Sequence, residues 1–213
     1  MNIVNRDPFL TQESKLDRLG EVAVKVGLGL QVGQELVMTA PIEALPLVRR
    51  ITEHAYKAGA SLVTTLFSDD EATLMRFRHA PDGSFDVASG WLYEGMASAF
   101  RNGAARLAIA GDNPSLLSGE DGDKVARANR ARSRAYQPAL ELIAGFDINW
   151  TIVSFASLAW AKAVFPNEPD SIAVAKLWDA IFSASRVDRR DPIAAWAEHN
   201  AVLHARTALL NRK

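Results

Sequence analysis

Ala105-Arg106-Leu107-Ala108-Ile109-Ala110-Gly111-Asp112-Asn113-Pro114 is the stretch whose reading decides the fold. A short, mostly apolar run meets a Gly-Asp-Asn-Pro corner and passes into sequence of helical character, the order strand, turn, helix. Three more short runs repeat the theme on either side: Leu36-Val37-Met38-Thr39 ending at Pro41, Ser61-Leu62-Val63-Thr64-Thr65-Leu66-Phe67, and Trp150-Thr151-Ile152-Val153. Four such segments separated by helices predict βαβ units. The expected fold class is therefore α/β, with a mainly parallel sheet, helices on both faces and a helical C-terminal segment. No repeat, low-complexity tract or Gly/Ser linker interrupts it, so residues 1–213 are expected to form a single α/β domain.

The helices follow from period and caps. Leu16, Leu19, Ala23, Val26 and Leu30 recur at helical spacing and predict a helix over 11–26, broken by Gly27, Gly29 and Gly33. Leu45, Val48, Ile51 and Ala55 give one face of a second helix, which Gly59 stops. Helices are predicted over 70–79 and 88–102, the latter with Trp91, Leu92, Met96, Ala99 and Phe100 on one side. A long helical region begins at Glu120, where Pro138 is expected to kink or divide it. Val174, Leu177, Trp178 and Ile181 form a stripe. Asp191 reads as an N-cap with Pro192 at the first helical position, leading into Ile193, Trp196, Leu203 and Leu210.

Bulk composition narrows the function classes. With 48% hydrophobic and 23% charged residues over 213 positions, the chain is a globular sequence able to bury a core. A formal net charge of -1 supplies no long-range attraction to nucleic acid or an anionic membrane, so neither is expected as a partner. There is no cysteine, hence no disulfide, thiolate nucleophile or cysteine metal site. Residues 1–8 show no signal-peptide core, and no apolar run approaches the roughly 18 residues of a bilayer span. A cytoplasmic location is the expectation.

No motif supplies a catalytic set. Gly27, Gly29 and Gly33 have the wrong spacing for a dinucleotide loop and precede a strand, so they read as a helix cap and turn. Asp112 and Asn113 lie at the carboxyl end of a strand, where open α/β sheets bind ligands; the competing reading is a cap for the next helix. Ser68-Asp69-Asp70 poses the same choice. His54, His79, His199 and His204 are dispersed and form no metal motif. Neither a nucleophile elbow nor a Walker A loop is present. Arg127, Arg130, Arg132 and Arg134 follow acidic residues and read as a solvated helix, and Trp91, Trp178 and Trp196 as core or interface residues. Asn149-Trp150-Thr151 matches a glycosylation sequon without a secretory signal.

The 105–114 corner, Trp150-Thr151-Ile152-Val153, Trp160-Ala161-Lys162-Ala163-Val164-Phe165-Pro166 and Asp191-Pro192-Ile193-Ala194-Ala195-Trp196, in that order, resemble the N-terminal domain of the aminopeptidase T, aminopeptidase S and PepS family of metallo-aminopeptidases. One departure is Ser154-Phe155-Ala156-Ser157, where the family pattern leads to a proline-containing turn. The resemblance implies a cytoplasmic, dimeric exopeptidase that removes N-terminal residues from peptides, using two divalent metal ions (zinc, cobalt or manganese). It places the metal ligands in a C-terminal catalytic domain beyond Lys213, so no catalytic residue, cofactor site or metal ligand is carried onto this chain, and the chain alone is expected to be inactive. Asp112 and Asn113 become candidates for lining the substrate cavity. Read without the resemblance, the residues also admit a stand-alone phosphate- or nucleotide-binding module, or an oligomerisation domain.

Overall fold

A computed structural model of the chain, describing residues 10–212, turns each of the four apolar runs into a strand: β1 (Glu35–Pro41), β2 (Leu62–Ser68), β3 (Ala105–Ala110) and β4 (Trp150–Ser154). Residues 1–8, read above for a signal sequence, and the closing Lys213 lie outside the described residues. The strands form one sheet in the order β2-β1-β3-β4 with every pair parallel. The register sets Leu36 opposite Ala105 and Arg106 opposite Trp150.

Period-2 alternation sorts the strand residues into two layers. Leu36, Met38, Leu107, Ile109 and Val153 face a core built with α1 (Gln12–Val22), α2 (Leu45–Lys57), α6 (Leu158–Val164) and α7 (Asp170–Ala184), where Leu19, Leu47, Ile51 and Phe182 are fully buried. On the opposite face Val37 meets Met96, Ala97 and Phe100 of α4 (Gly90–Arg101) and Ala139 and Ile143 of α5 (Gly122–Ala144). Burying one leucine or phenylalanine in such a layer is worth roughly 1.5–3 kcal/mol. Asp69 caps α3 (Asp70–His79) by accepting from the N–H groups of Glu71 and Ala72. Asp191 caps α8 (Pro192–Leu210) as the sequence predicts, accepting from the Ala194 N–H.

Four expectations need correction. The first helix keeps α-geometry only to Val22, then widens into a π-helical stretch over Ala23–Leu28 that Gly29 closes at φ 61°. Of the two outcomes expected at Pro138, division does not occur: α5 runs through it as one element, because the lost donor is a local cost while Ala139 and Ile143 beyond it stay anchored in the core. Trp91 does not join the packed face of α4: it sits in the first turn, 80% exposed, while Met96, Ala97 and Phe100 are buried. Likewise Ile193 and Trp196 of α8 pack against the core, but Leu203 and Leu210 lie on a final stretch, residues 201–210, that is exposed throughout.

A polar clasp closes the lower edge of the sheet. Gln34, just before β1, and Asn149, just before β4, form a reciprocal amide pair: Gln34 Nε2 donates to Asn149 Oδ1 at 2.7 Å, and Asn149 Nδ2 donates to Gln34 Oε1 at 3.1 Å. The spare donors reach Gly103 O, ahead of β3, at 2.8 Å and Leu28 O at 3.0 Å. One pair of side chains thus registers the starts of three strands. Here the sequon asparagine is a structural residue. Replacing Asn149 with Ala removes three part-buried hydrogen bonds, leaving Gln34 only its bonds to Gly103 O and from the Gln31 N–H and taking the side-chain donor from Leu28 O. We expect a loss of about 1–3 kcal/mol, measurable as a lowered urea midpoint at unchanged slope. A midpoint equal to the parent's would contradict the clasp.

Candidate functional site

The strand order fixes where a ligand can enter. From β1 the chain crosses to β2 through α2 on one face of the sheet, and from β3 it crosses to β4 through α5 on the other. Between the upper ends of β1 and β3 the backbone therefore diverges, and such a switch point opens a crevice at the carboxyl edge. A cleft of about 580 Å³ lies there, bounded by Pro41 at the end of β1, Gly111, Asp112 and Asn113 after β3, and Phe155, Ala156 and Ser157 after β4. That volume is within the usual range for ligand sites, about 300–1,000 Å³.

The cleft is acidic. Glu43, Asp70, Glu71 and Asp112 line it, and no lysine, arginine or histidine does. Asp70 registers the field: burial raises its carboxyl above the ordinary value, and the neighbouring charges of Glu43 and Asp112 push the same way. The backbone N–H of Asn113 donates to that carboxyl and opposes the rise. Asp70 and Glu71 also occupy the first turn of α3, where the positive end of the helix dipole favours them. Asp112 has no such local role. It is exposed and makes no hydrogen bond or ion pair among the described residues.

Both residues singled out in the sequence thus line this cleft, and neither caps the next helix. The cap of α5 is Asp121, which accepts from the N–H groups of Asp123 and Lys124; Asn113 Oδ1 instead accepts from the Ser115 N–H, closing a small turn. The turn at 111–119 separates the corner from the helix, so the cap falls later than the corner suggests. Ser157 supplies order where a proline was expected: its Oγ accepts from the Trp160 N–H and starts α6.

Gly111 is the steric keystone of the corner. The Phe155 N–H donates to Ala110 O at 2.7 Å, which brings the two loops together above β3 and β4. A Cβ on Gly111 would stand 2.6 Å from Phe155 O and 3.2 Å from Phe155 Cβ. That first contact is backbone and has no rotamer by which to yield.

The histidines do not converge. Buried His54 pairs through Nε2 with Asp17 Oδ1 at 3.1 Å, and His199 stands edge-on to Trp196. Among the described residues, no group of three His, Asp or Glu side chains is arranged to hold a metal ion. The four cleft carboxylates do not fit a metal pair either, for the same reason. Of the arginine stretch, Arg127 is tied down: it donates to Asp82 and Asp86 and holds Asp86 below the usual carboxylate range. No helix among the described residues is long and apolar enough to cross a membrane.

Comparison with known proteins agrees with the corner and its flanking segments. Residues 12–213 match the model of the thermophilic metalloprotease (M29) family. The chain is 53% identical over 198 residues to aminopeptidase T of Thermus thermophilus, covering 93% of this chain and 48% of that protein. It is 40% identical to aminopeptidase 2 of Geobacillus stearothermophilus and 35% to aminopeptidase AmpS of Bacillus subtilis, with similar coverage. The solved structure of wild-type AmpT from Thermus thermophilus superposes with a TM-score of 0.89 at 50% identity, over 95% of this chain and 49% of that one. The chain belongs to the M29 metallopeptidase family. It spans about half the length of the curated relatives it matches.

The close approach at the corner gives a direct test. Gly111→Ala forces the β3 and β4 loops apart, and overpacking of this kind costs typically about 1–3 kcal/mol. The expected result is a thermal midpoint lowered by several degrees. An unchanged midpoint would show that the two loops do not hold each other.

Proposed function

We propose that this chain is the N-terminal domain of a metal-dependent aminopeptidase that removes N-terminal residues from peptides, and that it contributes walls and contacts to the reaction chamber without contributing metal ligands. The observation that carries the reading is the pairing of a family match over residues 12–213 with a donor set that, among the described residues, is unfit for a metal pair. In this reading two divalent ions, zinc, cobalt or manganese, are held by a C-terminal catalytic domain, where they activate a water and polarise the scissile carbonyl. The protein works as a cytoplasmic homodimer. The exposed apolar residues at the end of α8, Val202, Leu203, Leu209 and Leu210, support packing against that further domain or a partner subunit.

The acidic cleft suits one end of the substrate. An exopeptidase must recognise a free α-ammonium group, and Asp112 offers a carboxylate with no competing partner among the described residues. Its part is electrostatic positioning at the mouth, with Asn113 holding the turn that presents it. An exposed charge of this kind contributes about 0.2–1 kcal/mol, roughly a two- to fivefold effect.

The test has two arms. Residues 1–213 alone should give no hydrolysis of aminoacyl reporter substrates with added cobalt or zinc; chelator-sensitive turnover by this chain would overturn the assignment. In the full-length protein, Asp112→Asn should raise KM for peptides about two- to fivefold with kcat nearly unchanged. An unaltered KM would remove Asp112 from the cavity.

A further inference from the structure

The opposite face of the sheet holds a second cleft, of about 430 Å³, between the strands and the α4–α5 pair. It shares no lining residue with the acidic one, and its charge is reversed: Arg106 and Arg132 line it, with no carboxylate. Arg106 is the odd residue of β3. It lies mid-sheet, opposite Val37 and Trp150, and alternation turns it towards α4 and α5.

Its guanidinium is unmatched. The Nε atom is buried with no acceptor, and among the described residues the side chain takes part in no hydrogen bond or ion pair. Arg106 is half-buried, and leaving its buried Nε–H without an acceptor is costly, so Arg106 is a poor choice for stability alone. The two terminal nitrogens are not among the buried atoms and make no bond among the described residues, so the end of the guanidinium is left to the cleft, and that fork can grip a carboxylate through two parallel hydrogen bonds. Around it the walls are apolar and aromatic. Phe67 and Leu92 contribute, and Tyr93 and Tyr136 stand 5.5 Å apart with their rings tilted by 58°. A bare inorganic anion would use the arginines and waste these surfaces.

We propose that this cleft binds a small organic carboxylate with an apolar or aromatic body, its carboxylate on Arg106, its body against Tyr93 and Tyr136, and Arg132 drawing the charge in at the mouth. The inference goes beyond the peptidase reading and does not depend on it: the ligand is recognised by an acid group on a face remote in chemistry from the acidic cleft.

The experiment is calorimetric titration of the full-length protein with N-acetyl-L-phenylalanine, with its carboxamide and with inorganic phosphate. The acid should bind at least about tenfold more tightly than the amide, as expected for a charge-assisted pair, and phosphate should bind more weakly than the acid. Arg106→Met should abolish the preference for acid over amide. The surface change Arg132→Gln should weaken the acid about threefold. Unliganded Arg106→Met should melt no lower than the parent, because it breaks no protein–protein bond. No binding, equal binding of acid and amide, phosphate binding tighter than the acid, or an acid affinity unchanged by Arg106→Met would each overturn the proposal. So would a clearly lower melting temperature for Arg106→Met, which would make Arg106 a structural residue.

Discussion

The adjacency of β1 and β3, with the chain leaving them towards opposite faces, is the constraint from which the upper edge of this molecule follows. It opens the backbone at one place only along the sheet. Gly111 and Phe155 then fix the shape of that opening, because the β3 and β4 loops approach too closely for any side chain at position 111. At the lower edge the Gln34–Asn149 pair does the complementary task of holding the strand starts in register. The sheet is thus rigid at its base and shaped at its top. A rigid base under variable loops is where α/β folds place their ligand chemistry.

Charge is sorted between the two faces. Carboxylates gather at the carboxyl edge, and the arginines left over from the Arg127 cluster and from β3 gather under α4 and α5. The net charge of -1 conceals this division entirely. A domain so divided can steer a cationic group to one side and an anionic group to the other without any net field. In the reading proposed above, one cleft takes the ammonium end of a peptide, and the other takes a different, acidic ligand.

Much of the architecture was legible before the structure. All four strands, the α3 span and the capping role offered for Ser68-Asp69-Asp70 follow from period, turn residues and side-chain capping, which are local properties. The family resemblance was also legible, since it rests on ordered short segments. What failed was context. Trp91 and Leu210 obey helical spacing yet face solvent, because periodicity marks a face without saying what lies opposite it. Pro138 reads as a kink or a division, and tertiary anchoring of Ala139 and Ile143 keeps the helix undivided despite one missing donor. Asn149 reads as an idle sequon, and only the fold brings Gln34, 115 positions away, into hydrogen-bonding distance. Arg106 stood within the opening stretch as a minor flaw in an apolar run. That it finds no carboxylate partner among the described residues is a three-dimensional fact that no spacing announces.

The central claim is a division of labour: this chain frames the reaction chamber, and the hydrolytic metals are held elsewhere in the protein. Metal content of residues 1–213 after equilibrium dialysis against zinc or cobalt, read by elemental analysis, tests it most directly. The account predicts a stoichiometry near zero, because no His, Asp or Glu trio converges among the described residues. Two tightly held divalent ions per chain would contradict it.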